Sequence, residues 1–400
     1  MKKALRTLLA FTLAGSMLLP LSACGKSKTG KNTDKEKKKV VSSEDSDPEA
    51  DESDETDEEK KAQEDPAKSE TQADDSSGKT QDENVFYTSK SAELKLKPIP
   101  GVEFDYTIFS NTSIAGDRIL VRILATLKDP SMGEKLLKND YQDMGDNVYT
   151  SLQLFDLDGK NIGSVPMDEN CDFENAFALD NGEILVVTHK FNDGECRTSP
   201  SVFVISPSGE KLRELNFDVE ANLYGSHVYP MKDGKIFVAT EEHLFLFDSE
   251  GNLIKENQEQ SLGPFMNYSE GKWYVARIAI PHTDIAAYQE VDVNTGELLD
   301  TYKSELSNSI DFANNTDCFV FTEDGIQQFL ISQDTFATIL SPENTDLDFT
   351  DLRNCQILPD GSMIVLNSEP NTDVMTDKTD HLRNDANRMS VAILTRVEEV

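Results

Sequence analysis

One short pattern recurs along this sequence and restricts the fold more than any other feature. An alternating apolar run, a polar turn closed by glycine and a second apolar run form "LFLFDSEGNLIKEN", beginning at Leu244. The same order occurs in "LQLFDLDGKNIGSV", "VFVISPSGEKLREL" and "YQEVDVNTGELLDT". Apolar alternation bounded by turn residues predicts antiparallel β-hairpins, because successive strand residues face opposite sides of a sheet.

A second hairpin can be aligned ahead of each copy, in runs such as "DNGEILVVTH", "KDGKIFVAT" and "SEGKWYVARI". Each unit then contains four strands, and the units begin near Glu103, Cys171, Tyr224, Phe265, Ile310 and Leu352. A spacing of about 40–50 residues is typical of one β-propeller blade. We therefore predict an all-β fold over residues 85–400, a propeller of about six four-stranded blades. Seven blades, or two packed β-sandwiches, are the alternatives.

The two ends of the repeat region predict how the ring closes. The last unit reaches its third strand at "SVAILTRV" and leaves no room for a fourth. The alternating run "AELKLKPI", residues 92–99, precedes the first unit, and we predict that it pairs with residues 389–396. A ring closed by its N-terminal strand has no long exposed sheet edge.

The first 84 residues differ in composition from the rest. Residues 1–6 are basic, residues 7–19 are apolar and "LSACG" follows, which predicts a signal peptide over residues 1–23 that is too short to span a membrane. Residues 24–84 are dominated by Lys, Asp, Glu, Ser, Thr and Gly, without apolar periodicity. Such a segment cannot bury enough apolar surface to order itself, so we predict a disordered charged tether.

The "LSACG" ending resembles the lipobox of bacterial lipoproteins. The resemblance implies cleavage before Cys24 and lipidation of that cysteine, whereas plain secretion is the alternative. Two acyl chains hold a protein on a bilayer where one chain does not. We therefore expect an anchored protein on the extracytoplasmic face of the cell membrane, at a Gram-positive cell surface.

The net charge excludes one class of partner. The formal charge is -36, and most of the negative excess lies after Asn84. Proteins that bind nucleic acid present a basic surface to the phosphates, so we expect no nucleic-acid partner. Neutral, cationic or metal-bridged ligands fit such a chain better.

Four cysteines remain beyond Cys24, namely Cys171, Cys196, Cys318 and Cys355. Their spacing allows three pairings and selects none of them. A large domain with its own core does not need disulfides, so buried free thiols are the default expectation. If a disulfide forms, we predict Cys171 with Cys196, because both lie at one rim of the predicted ring.

The turn phrases, most plainly "VDVNTGELLDTY" with Asp292, Thr295 and Gly296, resemble blades of propellers related to pyrroloquinoline-quinone dehydrogenases. The resemblance covers most of residues 103–397 and implies the architecture. Blades of that family carry docking tryptophans, and this chain has only Trp273. That departure argues against the quinone, and we expect no cofactor.

The order of lipobox, acidic tether and propeller resembles surface lipoproteins of Firmicutes. Some of these place the propeller ahead of a solute-binding domain, and "VAILTRVEEV" resembles the joint between the two. The resemblance implies an accessory role beside a transporter of the ABC type or another envelope protein.

Motifs that would identify an enzyme are missing. The sequence contains no H-E-x-x-H, no G-x-S-x-G and no G-x-x-x-x-G-K-[ST]. The five histidines are scattered singly and are better interpreted as structural groups, and we expect no metal site. The turns at "FDLDGKN" and "FNDGEC" lack the full oxygen series of a calcium loop and are better explained as hairpin turns.

Two long loops predict a binding sector on the ring. Loops between the second and third strands emerge on one rim, and residues 128–147 and 369–388 form long examples in neighbouring first and last units. Long insertions in compact domains are usually functional or disordered. The candidate ligand-binding residues on this rim, with two from the second unit, are Asp140, Tyr141, Asp143, Asp146, His381, Arg383, Asp385, Phe191 and Arg197.

We therefore expect a non-catalytic binding or scaffold module that meets a small solute, a glycan or an envelope protein. Two rival hypotheses remain open. One is a carbohydrate-active lyase or hydrolase that uses carboxylates of the rim. The other is a scaffold for envelope assembly.

Overall fold

The computed structural model describes residues 86–132, 142–143, 148–167, 171–191, 197–223, 225–258, 263–277, 286–306, 316–349, 351–374 and 381–396. The chain folds as a six-bladed β-propeller of antiparallel sheets, as predicted. The alternatives of seven blades and of two sandwiches are therefore wrong. The predicted signal peptide and the whole predicted tether, with Cys24, lie outside the described residues. We name the strands of each blade A to D from the innermost strand outwards.

Blades 1 to 3 follow one another along the chain. Blade 1 contains β2 (Phe104–Ala115), β3 (Arg118–Leu127), β5 (Val148–Asp156) and β6 (Asn161–Val165), and the short β4 (Gln142–Asp143) also pairs with β5. Blade 2 contains β7 (Cys171–Ala178), β8 (Ile184–Phe191), β9 (Arg197–Ile205) and β10 (Lys211–Leu215). Blade 3 contains β11 (His227–Pro230), β12 (Ile236–Ala239), β13 (His243–Phe247) and β14 (Leu253–Gln258).

Blades 4 to 6 complete the ring. Blade 4 contains β15 (Phe265–Ser269), β16 (Lys272–Arg277), β17 (Ala286–Val291) and β18 (Leu298–Ser304). The described strands of blade 5 are β19 (Phe319–Thr322), β20 (Gly325–Leu330) and β21 (Thr335–Leu340), and its predicted start near Ile310 lies outside the described residues. Blade 6 contains β22 (Leu352–Ile357), β23 (Met363–Pro370) and β24 (Asn387–Arg396). Short helical turns lie at Pro130–Met132, Lys232–Gly234, Pro342–Asn344 and His381–Asn384.

A strand from the start of the described chain closes blade 6. This strand, β1 (Phe86–Glu93), pairs antiparallel with β24, with Phe86 opposite Arg396 and Glu93 opposite Ser390. It therefore serves as strand D of the last blade. Closure of the ring by an N-terminal strand is confirmed.

The closing strand begins six residues earlier than the predicted run 92–99. From that run, Ala92 and Glu93 pair with β24, and the Leu94 N–H donates to the Met389 carbonyl at 2.8 Å. The apolar alternation that suggested a strand has another cause. It places Ala92, Leu94 and Leu96 against the apolar cluster between blades 6 and 1.

Apolar side chains fill the space between every pair of neighbouring blades. In β8, Ile184 and Val186 pack toward blade 1, whereas Leu185 and Val187 pack toward blade 3. Consecutive strand residues face opposite sides, so a continuous apolar run is needed where both faces are buried. Equivalent clusters join blades 3 and 4, 4 and 5, 5 and 6, and 6 and 1. The ring is therefore held by apolar cores that lie between blades.

The recurrent polar turn docks each blade on the one before it. In blades 1 to 4 it joins strands C and D, and each turn has a glycine with positive φ, namely Gly159, Gly209, Gly251 and Gly296. Each of these glycines lies against the preceding blade. At Gly251 an added Cβ would lie 2.7 Å from the carbonyl oxygen of Asn216, which follows blade 2.

Side chains that open the same turns stabilise them. Asp248 Oδ1 accepts hydrogen bonds from the backbone N–H groups of Glu250 and Asn252, both at 2.9 Å. Such bonds satisfy turn donors that the sheet leaves unpaired. Blade docking thus relies on these turns in a chain that has a single tryptophan.

The docking role of the turn glycine predicts a difference between two alanine substitutions. Gly182 has a φ of 81° and Gly251 a φ of 89°, so both sites strain an added Cβ, but an added Cβ at Gly182 meets nothing within 4 Å. We expect Gly182→Ala to lower the free energy of unfolding by about 1–2 kcal/mol. Gly251→Ala should lose about 1–3 kcal/mol more, because its Cβ overlaps the Asn216 carbonyl. Urea unfolding of both variants measures this, and equal losses would contradict the docking role.

Candidate functional site

Three innermost strands contain a β-bulge at the same distance from the turn that follows. The register shifts at Asn111 in β2, at Glu174 in β7 and at Arg353 in β22. These strands belong to blades 1, 2 and 6, which are consecutive in the closed ring. A bulge takes a side chain out of the regular alternation and is common beside functional sites. The last paired residues of the three strands are Ala115, Ala178 and Ile357.

Hydrogen bonds between these strands hold the bulges side by side. Asn354 Nδ2 donates to the Thr112 carbonyl at 3.3 Å, which links blade 6 to blade 1. Asn111 Nδ2 donates to the Phe173 carbonyl at 2.8 Å, which links blade 1 to blade 2. Asn111 has a φ of 35°, in the left-handed region that asparagine tolerates better than most residues. Its backbone is therefore held in a strained form beside the neighbouring bulge.

The Glu174 carboxylate joins blade 2 to blade 3 through two imidazoles. His227 Nδ1 donates to Glu174 Oε1 at 2.5 Å, and His189 Nε2 donates to Oε2. Burial alone raises the pKa of Glu174, but the charge and hydrogen bond of His227 and the hydrogen bond of His189 outweigh it and hold that pKa well below its usual range. Glu174 is therefore a fixed anion. We call Arg353, Asn111, Glu174 and His227, from blades 6, 1, 2 and 3, the inner tier.

A buried ion pair between blades 1 and 2 lies next to Asn111 of the inner tier. Arg122 of β3 contacts the carboxylate of Asp172 in β7, and both residues are buried. Asn111 Nδ2 also lies 3.4 Å from Asp172 Oδ1. A buried charge is tolerated only when it is paired and hydrogen-bonded, as here. The pair joins blades 1 and 2, and it occupies the Asp172 carboxylate.

Part of the predicted rim sector lies within the described residues. Arg383, in the short helix of blade 6, contacts the Asp105 carboxylate of blade 1, and its guanidinium lies 5.3 Å from the Tyr106 ring centre. The Asp385 N–H donates to the Leu382 carbonyl within the same segment. The predicted meeting of blades 6 and 1 on this rim therefore occurs at Arg383.

The remaining predicted residues are placed less fully. Asp143 lies in β4, Phe191 ends β8, Arg197 begins β9 and His381 begins the short helix. Asp140, Tyr141 and Asp146 lie outside the described residues. Their roles in ligand binding stay predictions.

The cysteines of the described residues are buried. Cys318 and Cys355 form no disulfide, as expected for core thiols, and burial raises the pKa of both, which makes them poor nucleophiles. Cys171 begins β7 and is also buried. Its predicted partner Cys196 lies outside the described residues, so that pairing stays a prediction.

Asp317 is the carboxyl group whose environment differs most from that of Glu174. It lies in the turn that precedes β19 and β20, close to Cys355. Burial raises the pKa of Asp317 to about 6. Among the described residues, no cation forms an ion pair with it. No contact between Asp317 and a residue of the inner tier is described.

The described part of the chain contains neither a candidate metal-binding group nor a helix that could span a membrane. No group of three His, Cys, Asp or Glu side chains there is arranged to hold a metal ion. No helix there is long and apolar enough to cross a membrane.

Comparisons with known proteins find only distant similarity. No protein-family model and no curated protein matches the chain. A protein of unknown function from Bacteroides caccae is 12% identical, with a TM-score of 0.33, over 67% of this chain and 72% of its own. A streptogramin B lyase is 11% identical, with a TM-score of 0.34, over 78% of this chain and 98% of its own. Puromycin hydrolase is 12% identical, with a TM-score of 0.36, over 68% of this chain and 44% of its own. At these values the similarities carry no functional argument.

The inner tier could not be predicted from the sequence. Its histidines were expected to be structural groups, and His189 and His227 are indeed hydrogen-bonded, but both share one carboxylate. The only available signal was the polar sequence of the innermost strands, such as "CDFENAFA" in β7. A bulge depends on the partner strand, so this signal does not reveal it.

The Glu174 contacts predict a pH-dependent loss of stability in Glu174→Gln. The pKa of Glu174 is lower in the folded chain than in the unfolded chain, so its contribution is present at neutral pH and is lost as the pH falls below about 4. We expect Glu174→Gln to lower the free energy of unfolding by about 1–3 kcal/mol at pH 7, and the difference should shrink at pH 3.

The matched control is Glu256→Gln. Glu256 Oε1 also contacts a histidine, His243, at 2.9 Å, but it is 37% exposed. Its loss should be within about 0.5 kcal/mol. Urea unfolding at pH 7, 5 and 3 measures both variants. A pH-independent difference for Glu174→Gln would show that the carboxylate is not held ionised by these contacts.

Proposed function

We propose that this protein is a lipid-anchored, extracytoplasmic β-propeller that binds a ligand or partner without chemically converting it. Binding would occur on the inner tier and on the rim sector around Arg383. As an accessory to solute capture or transport, it would hold a solute, a glycan or an envelope protein near the membrane. The fold is that of a β-propeller, and the proposed role rests on the chemistry of its central side chains.

The state of the central carboxylates carries the proposal. Glu174 is held as an anion by two imidazoles, and Asp172 is paired with buried Arg122. Acid/base catalysis by two carboxyl groups needs one of them neutral and the other ionised near the reacting bond. Both carboxylates are already engaged by other side chains, so they suit recognition by fixed groups better than proton transfer.

Asp317 does not supply the missing acid. The pKa of Asp317 is raised to about 6, which suits a general acid. Its turn precedes β19 of blade 5, however, and no contact of Asp317 with Asp172 or Glu174 is described. A glycosidase mechanism needs two carboxyl groups across one bond. The described residues therefore favour binding over glycan cleavage.

The anchor completes the proposal. A lipidated Cys24 and a charged segment over residues 24–84 would hold the ring on the outer surface of the membrane. At ~5–6 Å × √n for a flexible chain, and more when its charges repel, such a segment reaches several tens of ångströms. The ring could then meet ligands within a thick cell wall.

A binding role predicts ligand retention without product. The lipidated protein, purified in detergent, is incubated with a panel of small solutes and cell-wall glycans, and both bound ligand and products are followed by mass spectrometry. We expect retention of one ligand class with no product. Arg383→Gln should reduce retention several-fold, because it removes the cation that joins Asp105 and Tyr106 on the rim.

The control variant is Arg388→Gln. Arg388 lies in the same segment, contacts the Asp373 carboxylate and is more exposed than Arg383, so its loss should leave retention unchanged. Product formation that is abolished by replacing one rim carboxylate would overturn the proposal in favour of an enzyme. Retention of nothing in the panel, with membrane proteins captured instead, would favour an assembly scaffold.

The lipid anchor predicts a change of cell fraction. Cys24→Ser removes the thiol that would carry the acyl chain, so we expect the protein to leave the membrane fraction and to lose label from a palmitate analogue. Cys355→Ala, which removes a buried thiol, should keep both membrane attachment and label. Label that persists in Cys24→Ser would rule out this anchor.

A further inference from the structure

Arg353 and Arg396 differ from the other arginines whose side chains are described. Arg118, Arg122, Arg213, Arg383 and Arg388 each form an ion pair with a carboxylate. Arg353 is exposed and has no ion pair, hydrogen bond or ring contact with its side chain in the described part of the chain. In a chain of net charge -36, carboxylates are abundant. An exposed guanidinium on an innermost strand without a described carboxylate partner is therefore unusual in this chain.

The position of Arg353 places it on the axis side of the ring. Its strand, β22, is the edge of blade 6 opposite the closing strand β1. The next residue, Asn354, donates to the Thr112 carbonyl of blade 1, so Arg353 lies beside the Asn111 bulge. An exposed side chain on an innermost strand can reach the water at the centre of the propeller.

The carboxylates in and behind the inner tier are not free to repel an anion bound at Arg353. Glu174 is the nearest tier carboxylate along the ring, and both its oxygens accept hydrogen bonds from imidazoles. Asp172 is neutralised by Arg122. These two carboxylates are thus already engaged, whereas no carboxylate of the described residues pairs with Arg353. An anionic group can pair with Arg353 in two parallel hydrogen bonds, which a guanidinium offers in a fixed geometry.

An exposed aromatic ring of blade 4 lies beside His227 of the tier. Phe265 begins the innermost strand of blade 4, is 39% exposed, and its ring lies 4.8 Å from that of His227. Large exposed aromatic side chains on an innermost strand favour ligands with an apolar part. The tier thus presents a cation at blade 6 and an aromatic face at blades 3 and 4.

We propose that the inner tier binds a small organic carboxylate, with its carboxylate on Arg353 and its apolar part toward Phe265 and His227. This inference deepens the proposed binding role and rests on it. It commits to carboxylate over phosphate because the planar, two-oxygen group matches a single guanidinium, and no second unpaired cation of the tier is described for a phosphate.

The test uses phenylacetate and its uncharged analogue phenylacetamide with the full chain. Ligand-observed saturation-transfer NMR measures weak binding to a protein of this size. We expect saturable binding of phenylacetate and much weaker binding of phenylacetamide. Arg353→Gln should weaken phenylacetate binding at least about 10-fold, since a charge-assisted hydrogen bond is lost. Arg353→Lys, which keeps the charge, should retain part of it.

The matched control is Arg396→Gln. Arg396 is also exposed and has no described side-chain partner, but it lies at the end of β24 opposite the closing strand. Its loss should leave binding unchanged. Urea unfolding should show equal stability for both variants, because both side chains are exposed.

Three results would overturn the inference. They are equal binding of phenylacetamide, unchanged binding in Arg353→Gln, and no saturable binding of phenylacetate. Equal competition by inorganic phosphate would replace a carboxylate site with an unselective anion contact. None of these outcomes affects retention that depends on Arg383, so the broader binding role is tested separately.

Discussion

Burial of both faces of every blade is the interaction on which the structure depends. In β8, Ile184 and Val186 contribute to one interblade core and Leu185 and Val187 to the next. A blade removed from the ring would expose two apolar faces, so no blade is stable alone in water. The pairing of β1 with β24 follows from the same demand, because blade 6 would otherwise lack the outer strand that lies beside the core shared with blade 1.

The innermost strands can therefore carry polar side chains. The apolar cores lie between blades, so the centre of the ring can hold charged groups without losing the packing that closes it. Blades 6, 1, 2 and 3 carry the polar tier, and each member is tied to a neighbouring blade or stands beside a residue that is. The bulges add one residue where these ties form, and the apolar pattern on either side continues.

The hairpins and the ring could be predicted because they depend on local order in the sequence. The turn from Asp248 to Gly251 determines a hairpin through its own hydrogen bonds and φ, whatever lies around it. The closing strand was predicted in the wrong place, because alternation reports a buried face and not a pairing partner. The pairing of β1 with β24 ends at Glu93, whereas Leu94 is buried and Leu96 partly buried beyond it. The inner tier was missed because a bulge is a property of two strands. Glu174 is displaced only because Phe173 lies opposite Thr188 and Asn175 opposite Val187.

Side chains of the tier also form hydrogen bonds between blades, so the same groups contribute to the stability of the ring and, in the proposed function, to ligand binding. Glu174 holds His227 of blade 3 through the same carboxylate that gives the tier its fixed negative charge, and Asn111 holds blade 2 through its amide. Groups held in this way lose little conformational freedom when a ligand arrives, which lowers the entropic cost of binding. Arg353 differs, because its side chain is exposed and has no partner among the described residues, while Asn354 beside it donates to the Thr112 carbonyl of blade 1. The tier therefore combines a fixed polar wall with one exposed cation, so in the proposed complex the wall would set the orientation of the ligand and the arginine would pair with its carboxylate.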